Sequence, residues 1–163
     1  MDEEINIIDT NTRNEKIKYF FINNKKKFII GFSIIFIIVA GYLLVVEMKG
    51  QHKKKLANQF NINTINFNLE NKQTTIDQLI KLINENDTTY SPLALYFLID
   101  NNLINDQNKL NILFDEVINE TNLDEEIKNL VIYKKALFNS GFSTENDLLQ
   151  ILNPIINSNS IWK

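Results

Sequence analysis

The chain writes its apolar residues in two ways, and the change falls at Val46. From Phe28 to Val46 they run together with no charged residue among them; after Val46 they recur at helical spacing with polar residues between. At about 1.5 Å of rise per residue, a helix over the first stretch is roughly 28 Å long, close to the thickness of a bilayer's hydrocarbon core. It reads as one transmembrane helix. A signal-peptide core is usually shorter and is followed by small residues at a cleavage site, whereas this run leads into Glu47-Met48-Lys49. A helix buried in a soluble core is rarely apolar on every face in so small a protein.

Beyond the span, Ile76, Leu79, Ile80 and Ile83 follow the i, i+3, i+4, i+7 pattern of one buried stripe. Leu110, Leu113, Phe114, Val117 and Ile118 repeat it, as do Leu148, Ile151, Leu152, Ile155 and Ile156. Between these lie segments apolar more nearly all round, Pro92 to Ile99 and Ile127 to Phe138, which are expected to be covered on two sides. The start signals are Ser91 before Pro92, Asp124-Glu125-Glu126, and Ser143 opening Ser-Thr-Glu-Asn; Gly141 is the stop signal before the last helix. Pro154 is expected to kink or end that helix near Leu152.

The one-sided stripes begin 34 and 38 residues apart, and the two-sided segments are about 36 apart. Alternation of a two-sided with a one-sided helix at such a period is the pattern of helical-hairpin repeats, in which each pair buries its open face on the next. The expected fold class is therefore all-α: a single N-terminal transmembrane helix followed by a tetratricopeptide-like repeat domain. A plain helical bundle is the alternative. The expected pairs are 53–70 with 75–86, 91–101 with 108–119, and 124–139 with 143–157. Residues 1–27 form a tail, 28–46 the span, 47–55 a basic juxtamembrane segment and 56–163 the repeat domain. Ser158 or Ser160 would cap a further two-sided helix beginning at Ile161-Trp162, so the chain reads as cut short, with Ile151, Ile155 and Ile156 partly uncovered.

Charge narrows the function classes. From Leu56 onward there are seven lysines and fourteen acidic residues, a poor surface for phosphate backbones, so nucleic acid is not expected as a partner. With no cysteine there are no disulfides or thiolate metal sites. Arg13 is the one arginine beside sixteen lysines, and asparagine and isoleucine dominate, a bias towards AT-rich codons that makes single asparagines weak evidence of function. The polar faces are written in asparagine; Asn111 and Asn119 are placed there.

Chemistry-bearing residues are sparse. His52, the one histidine, sits in a lysine-rich stretch with no acid or nucleophile nearby in sequence and reads as solvated. Asp115, Glu116 and Glu120 gather on one side of a helix, as acid-base carboxylates would, but on a face where charges are expected anyway. The expectation is a non-enzyme without cofactor, metal or small-molecule substrate. The aromatic residues Tyr90, Tyr96, Phe97 and Tyr133 are either core or lining of a concave peptide-binding surface, and Trp162 is either core or exposed.

Orientation rests on lysines. Lys25, Lys26 and Lys27 abut the run with Lys16 and Lys18 behind them, against Lys49, Lys53, Lys54 and Lys55 on the other side. Asp2, Glu3 and Glu4 do not cancel them, so a narrow excess places the N-terminus in the cytoplasm. Both clusters also anchor a span at anionic headgroups, with Phe28 and Tyr42 near the interfaces.

Lys16-Ile-Lys-Tyr-Phe-Phe-Ile-Asn-Asn-Lys25 leading into the span, Tyr90-Ser-Pro-Leu-Ala-Leu-Tyr-Phe-Leu98, Ile127-Lys-Asn-Leu-Val-Ile-Tyr-Lys-Lys-Ala136 and Ser160-Ile-Trp-Lys163 together resemble the YfgM-type ancillary subunits of the bacterial Sec translocon and related tetratricopeptide-like inner-membrane proteins of proteobacteria. The sequence departs from that family in its Asn and Ile content and in lacking a C-terminal part. The resemblance implies an inner-membrane protein with a periplasmic repeat domain, a non-catalytic adaptor between Sec translocon subunits, emerging secretory clients and periplasmic chaperones. The alternative is a structural scaffold for an envelope or cell-division complex.

Overall fold

The computed structural model describes residues 2–163, with side-chain environments from Arg13 onward. The acidic side chains of Asp2, Glu3 and Glu4 lie outside that description. All described regular structure is helical: α1 Asp2–Ile65, α2 Lys72–Ile83, α3 Tyr90–Asp100, α4 Gln107–Glu120, α5 Glu125–Asn139 and α6 Glu145–Ile156. The chain forms two compact units, one up to Gln51 and one from His52 to Lys163.

The first unit belongs wholly to α1. Ile29, Phe32, Phe36, Ile38 and Leu44 all expose more than half of their surface, and none of the most apolar stretch is buried by protein. A helix satisfies its backbone internally, so such a segment is stable in hydrocarbon while water would penalise its side chains. This helix is long and apolar enough to cross a membrane.

The second unit begins within α1, whose Leu56 is fully buried and whose Phe60 packs against Tyr90. The expected extension of this helix to Glu70 does not occur: it stops at Ile65 because asparagine side chains capture the backbone that would continue it. Asn68 Oδ1 accepts from the amides of Glu70 and Asn71, and Asn71 returns an amide bond to the Asn66 carbonyl. After this turn α2 packs on α3 and α4, α4 packs on α3 and α5, and α5 packs on α6.

The stripe of α4 behaves as its spacing predicts. Leu110, Leu113, Phe114, Val117 and Ile118 are all buried, joined by Ile76, Leu79 and Ile83 from α2 and by Ala94, Leu95 and Leu98 from α3. In contrast, α6 buries only Ile155; Ile151 and Leu152 are half-buried, and Leu149 and Ile156 are exposed.

Several boundary expectations are corrected. Ser91 is not the cap of α3 but a buried residue whose hydroxyl donates to the Leu82 carbonyl; Asp87 takes the capping role by accepting from the amides of Thr89 and Tyr90. Thr144, not Ser143, caps α6 in a reciprocal box with Asp147. Pro154 does not end α6 near Leu152, because the helix runs on to Ile156. Its missing N–H would have reached Gln150, which, like Pro154, lies on the exposed face, so solvent serves that carbonyl. Gly141 supplies no left-handed stop; α5 ends at Asn139, whose carbonyl accepts from Phe142 and Ser143. The left-handed position after α3 is instead Asn102, at φ 48, followed by a Leu103 amide bond to the Leu98 carbonyl that completes a Schellman motif.

Asn111 is the sharpest correction. Expected on an inert polar face, it exchanges two amide hydrogen bonds with Asn139 of α5, at 3.0 and 2.8 Å, and Asn139 is buried. Charge-free amides so placed are costly when one partner is removed.

Two predictions follow from this core. Phe114→Ala is expected to destabilise the helical unit by about 3–5 kcal/mol and Leu113→Ala by about 2–5. Asn111→Ala should cost about 1–3 kcal/mol through the stranded Asn139 amide, against under about 0.5 for exposed Asn119→Ala. Denaturant unfolding followed by circular dichroism ranks the four; equal losses at Asn111 and Asn119 would remove the amide pair from the core. The α6 box adds a pH dependence. Hydrogen bonds from the Thr144 side chain and backbone hold the Asp147 carboxyl below its ordinary range, so its stabilisation is present above that range and is lost as acid protonates it. Protection of the α6 amides, taken relative to their intrinsic exchange rate at each pH, should therefore fall on acidification, and Asp147→Asn should flatten that fall.

Candidate protein-binding groove

The second apolar face of α3 and α5, expected to be buried, is open. Pro92, Leu93 and Tyr96 on α3 line one wall of a groove, and Ile127 and Leu130 near the start of α5 line the other. Leu93 is 40% exposed and Ile127 42%. The i, i+3, i+7, i+10 spacing of Ile127, Leu130, Lys134 and Leu137 carries the same face along α5. The groove holds about 370 Å³, with Thr88, Thr89 and Asp124 supplying polar groups at one end. A smaller hollow of about 180 Å³ continues past Tyr96, between Asp100 of α3 and Lys134 and Leu137 of α5.

Tyr96 stands where the two hollows meet. Its hydroxyl is buried and has no hydrogen-bond partner, and the Lys134 ammonium lies over its ring, 4.4 Å from the centroid. That contact is a cation–π pairing. Burial, with the nearby Asp100 charge adding to it, pushes the phenol up to about 12. The exposed leucine and isoleucine beside this ring suit an apolar segment, while the hydroxyl itself is closed to solvent and meets an incoming polar group only if the side chain shifts.

The other aromatic candidates divide. Tyr90 and Phe97 serve the core, Tyr90 against Phe60 and Phe97 edge-on to Phe67 at 5.7 Å. Tyr133 stacks on Trp162, their centroids 6.0 Å apart, and remains 41% exposed. Ser160, bonded to Glu126 at 2.8 Å, fixes the turn that brings Trp162 there. Pro92, Leu93, Ile127 and Leu130 are read from the sequence as parts of two apolar segments covered on both sides, not as lining of an open surface; the signal for the groove is the excess of apolar residues on α3 and α5 over what one buried stripe needs.

The titratable candidates do not assemble. Asp115 is paired with Lys135 at 2.6 Å, and neither Glu116 nor Glu120 forms an ion pair among the described residues. His52 is more than half exposed, yet its Nε2 lies 3.6 Å from the Glu85 carboxylate, an acid distant in sequence that folding supplies. Among the described residues no three His, Cys, Asp or Glu side chains are placed to hold a metal ion.

Raising the pH tests the Tyr96 environment. Because its folded pKa lies above that of an unfolded tyrosine, its contribution to stability is intact below about pH 10 and is lost as pH rises towards 12. In an absorbance titration, Tyr96→Phe should remove a late tyrosinate step while leaving the fold intact. A late step that survives Tyr96→Phe would relocate the perturbed phenol. Against protein-family models, curated proteins and solved structures, the chain finds no match.

Proposed function

We propose that this is a single-pass membrane protein whose helical unit binds protein segments in the groove between α3 and α5. The observation that carries the reading is that groove: two facing apolar stripes left open on either side of Tyr96. The packing of α2 on α3, α3 on α4, α4 on α5 and α5 on α6 supports a tetratricopeptide-like stack, in which α3 and α5 are the first helices of successive pairs. An acidic unit with exposed leucine and isoleucine suits apolar segments with basic flanks.

The proposed setting is the bacterial inner membrane, with the N-terminus in the cytoplasm and the helical unit in the periplasm. There the protein would act as a non-catalytic adaptor, receiving secretory chains at the Sec translocon and passing them to periplasmic chaperones. This setting rests on the resemblance of Lys16 to Lys25, Tyr90 to Leu98 and Ile127 to Ala136 to translocon ancillary subunits, and on the narrow lysine excess before Phe28.

A photocrosslinker at Leu137, exposed farther along the same face of α5, is expected in intact membranes to capture channel subunits or unfolded secretory chains, and Leu93→Asp with Ile127→Asp should abolish capture without unfolding the unit. Cell-wall or division proteins in place of the channel would favour the scaffold. Unchanged capture in the double variant would remove the groove from binding. A reporter active only outside the cytoplasm, fused after Lys163, should be active; activity of a cytoplasm-only reporter there would reverse the orientation.

A further inference from the structure

The helix that precedes the charge-free run carries a face that the run does not explain. Phe20, Phe21 and Phe28 form one cluster on α1: Phe21 stacks on Phe28 at 4.9 Å, and Phe20 meets both edge-on at 6.0 and 5.9 Å. At about 100° per residue, Ile17 and Asn24 fall on the same face. Ile17, Phe20 and Phe21 remain roughly half exposed or more. Were the span to stand upright with Lys25–Lys27 at the headgroups, Phe20 and Phe21 would lie about 6–10 Å farther out, in water.

The lysines are arranged around this face. Lys16 and Lys27 fall along one edge of it and Lys18 and Lys25 along the other, with Lys26 behind. From Arg13 to Phe28 the single acid is Glu15. An apolar face edged on both sides by lysines is the pattern of a helix lying in a bilayer interface, aromatic rings at the acyl boundary and ammonium groups lifted to the phosphates.

We propose that the stretch ahead of Asn23-Asn24 is a second membrane contact, which lies on an anionic lipid surface with Ile17, Phe20 and Phe21 towards the acyl chains, while Phe28 enters the span. The strongly positive balance of this segment selects phosphatidylglycerol-like headgroups over neutral ones. A second copy of the chain would bring the same lysines together and repel. Asn23-Asn24, weak helix formers between the outer aromatics and Lys25, allow the axis to incline there. The inference rests on the reading that Phe28–Val46 spans the membrane.

The test uses the full chain with Trp162→Phe, so that the one native indole is silent, reconstituted in vesicles of phosphatidylcholine with or without phosphatidylglycerol. With Phe20→Trp, anionic vesicles should give strong quenching by lipids brominated near the glycerol end of the acyl chain, and a several-fold loss of quenching by the uncharged quencher acrylamide relative to neutral vesicles. Adding Lys16→Gln and Lys18→Gln should restore acrylamide access. Phe36→Trp reports the span separately and should be quenched by bromines deep in the chain in both vesicles. An indole at position 20 that stays open to acrylamide in anionic vesicles, while position 36 is deep, overturns the surface contact and leaves the span standing. A position 36 indole outside the lipid overturns both. Protection at position 20 that ignores lipid charge, with crosslinking between copies, would give the face to a second chain and overturn the proposal.

Discussion

The helical unit depends on α4 having two sides to satisfy with one stripe. Phe114, fully buried, sits among the buried side chains of its own helix and those of α2 and α3, and reaches Phe138 of α5 with ring centroids 5.8 Å apart. Each neighbour of α4 is thereby held in place by a helix that is itself held on more than one side. No helix of eleven to fifteen residues is stable alone in water. Each helix is therefore as secure as the packing it makes, and α6, with one buried residue, is the least secured of α2 to α6.

The groove is a consequence of the same geometry. Once α3 and α5 have each spent one face on α4 and its neighbours, their remaining apolar residues have no further helix to meet, and the space between them stays open. Tyr96 is held in this gap by packing from below, while its hydroxyl is left without the partner that a buried polar group requires. Exposed leucine is a small penalty to the free protein; it becomes a favourable term when a suitable segment fills the gap.

Much of the helical order was legible because hydrophobic spacing is read over a dozen residues at once, so that single discordant residues are outvoted. The five-residue stripe of α4 and the five helices α2 to α6 came through in this way, whereas the tail, the span, the juxtamembrane segment and the first repeat helix, read as separate pieces, are one continuous α1. The ends did not, because they are decided by competition among side chains a few residues apart. Asp87 outcompetes Ser91 as a cap, Thr144 outcompetes Ser143, and Asn68 and Asn71 close a turn where the apolar pattern alone would extend a helix. In a chain with four glycines, Asn102 takes the left-handed position that glycine commonly fills. The groove was half legible: the surplus of apolar residues on α3 and α5 was visible, but whether it is covered or open depends on neighbours far away in sequence. The tyrosine that meets a buried environment was distinguishable from Tyr90 and Tyr133 only in three dimensions.

The amide pair between Asn111 and Asn139 sets the alignment of α4 and α5 in a way that apolar contacts do not. Isoleucine and leucine faces accept several sliding positions at similar energy, because one aliphatic contact replaces another. Two amides that satisfy each other do not: sliding one helix by a single residue turns its side chains by about 100° and strands both groups. A protein composed so heavily of interchangeable aliphatic side chains needs such a discriminating contact if it is to occupy one packing rather than several. The asparagine that a biased genome scatters over every surface is, at this one crossing, the residue that tells the helices where to stop.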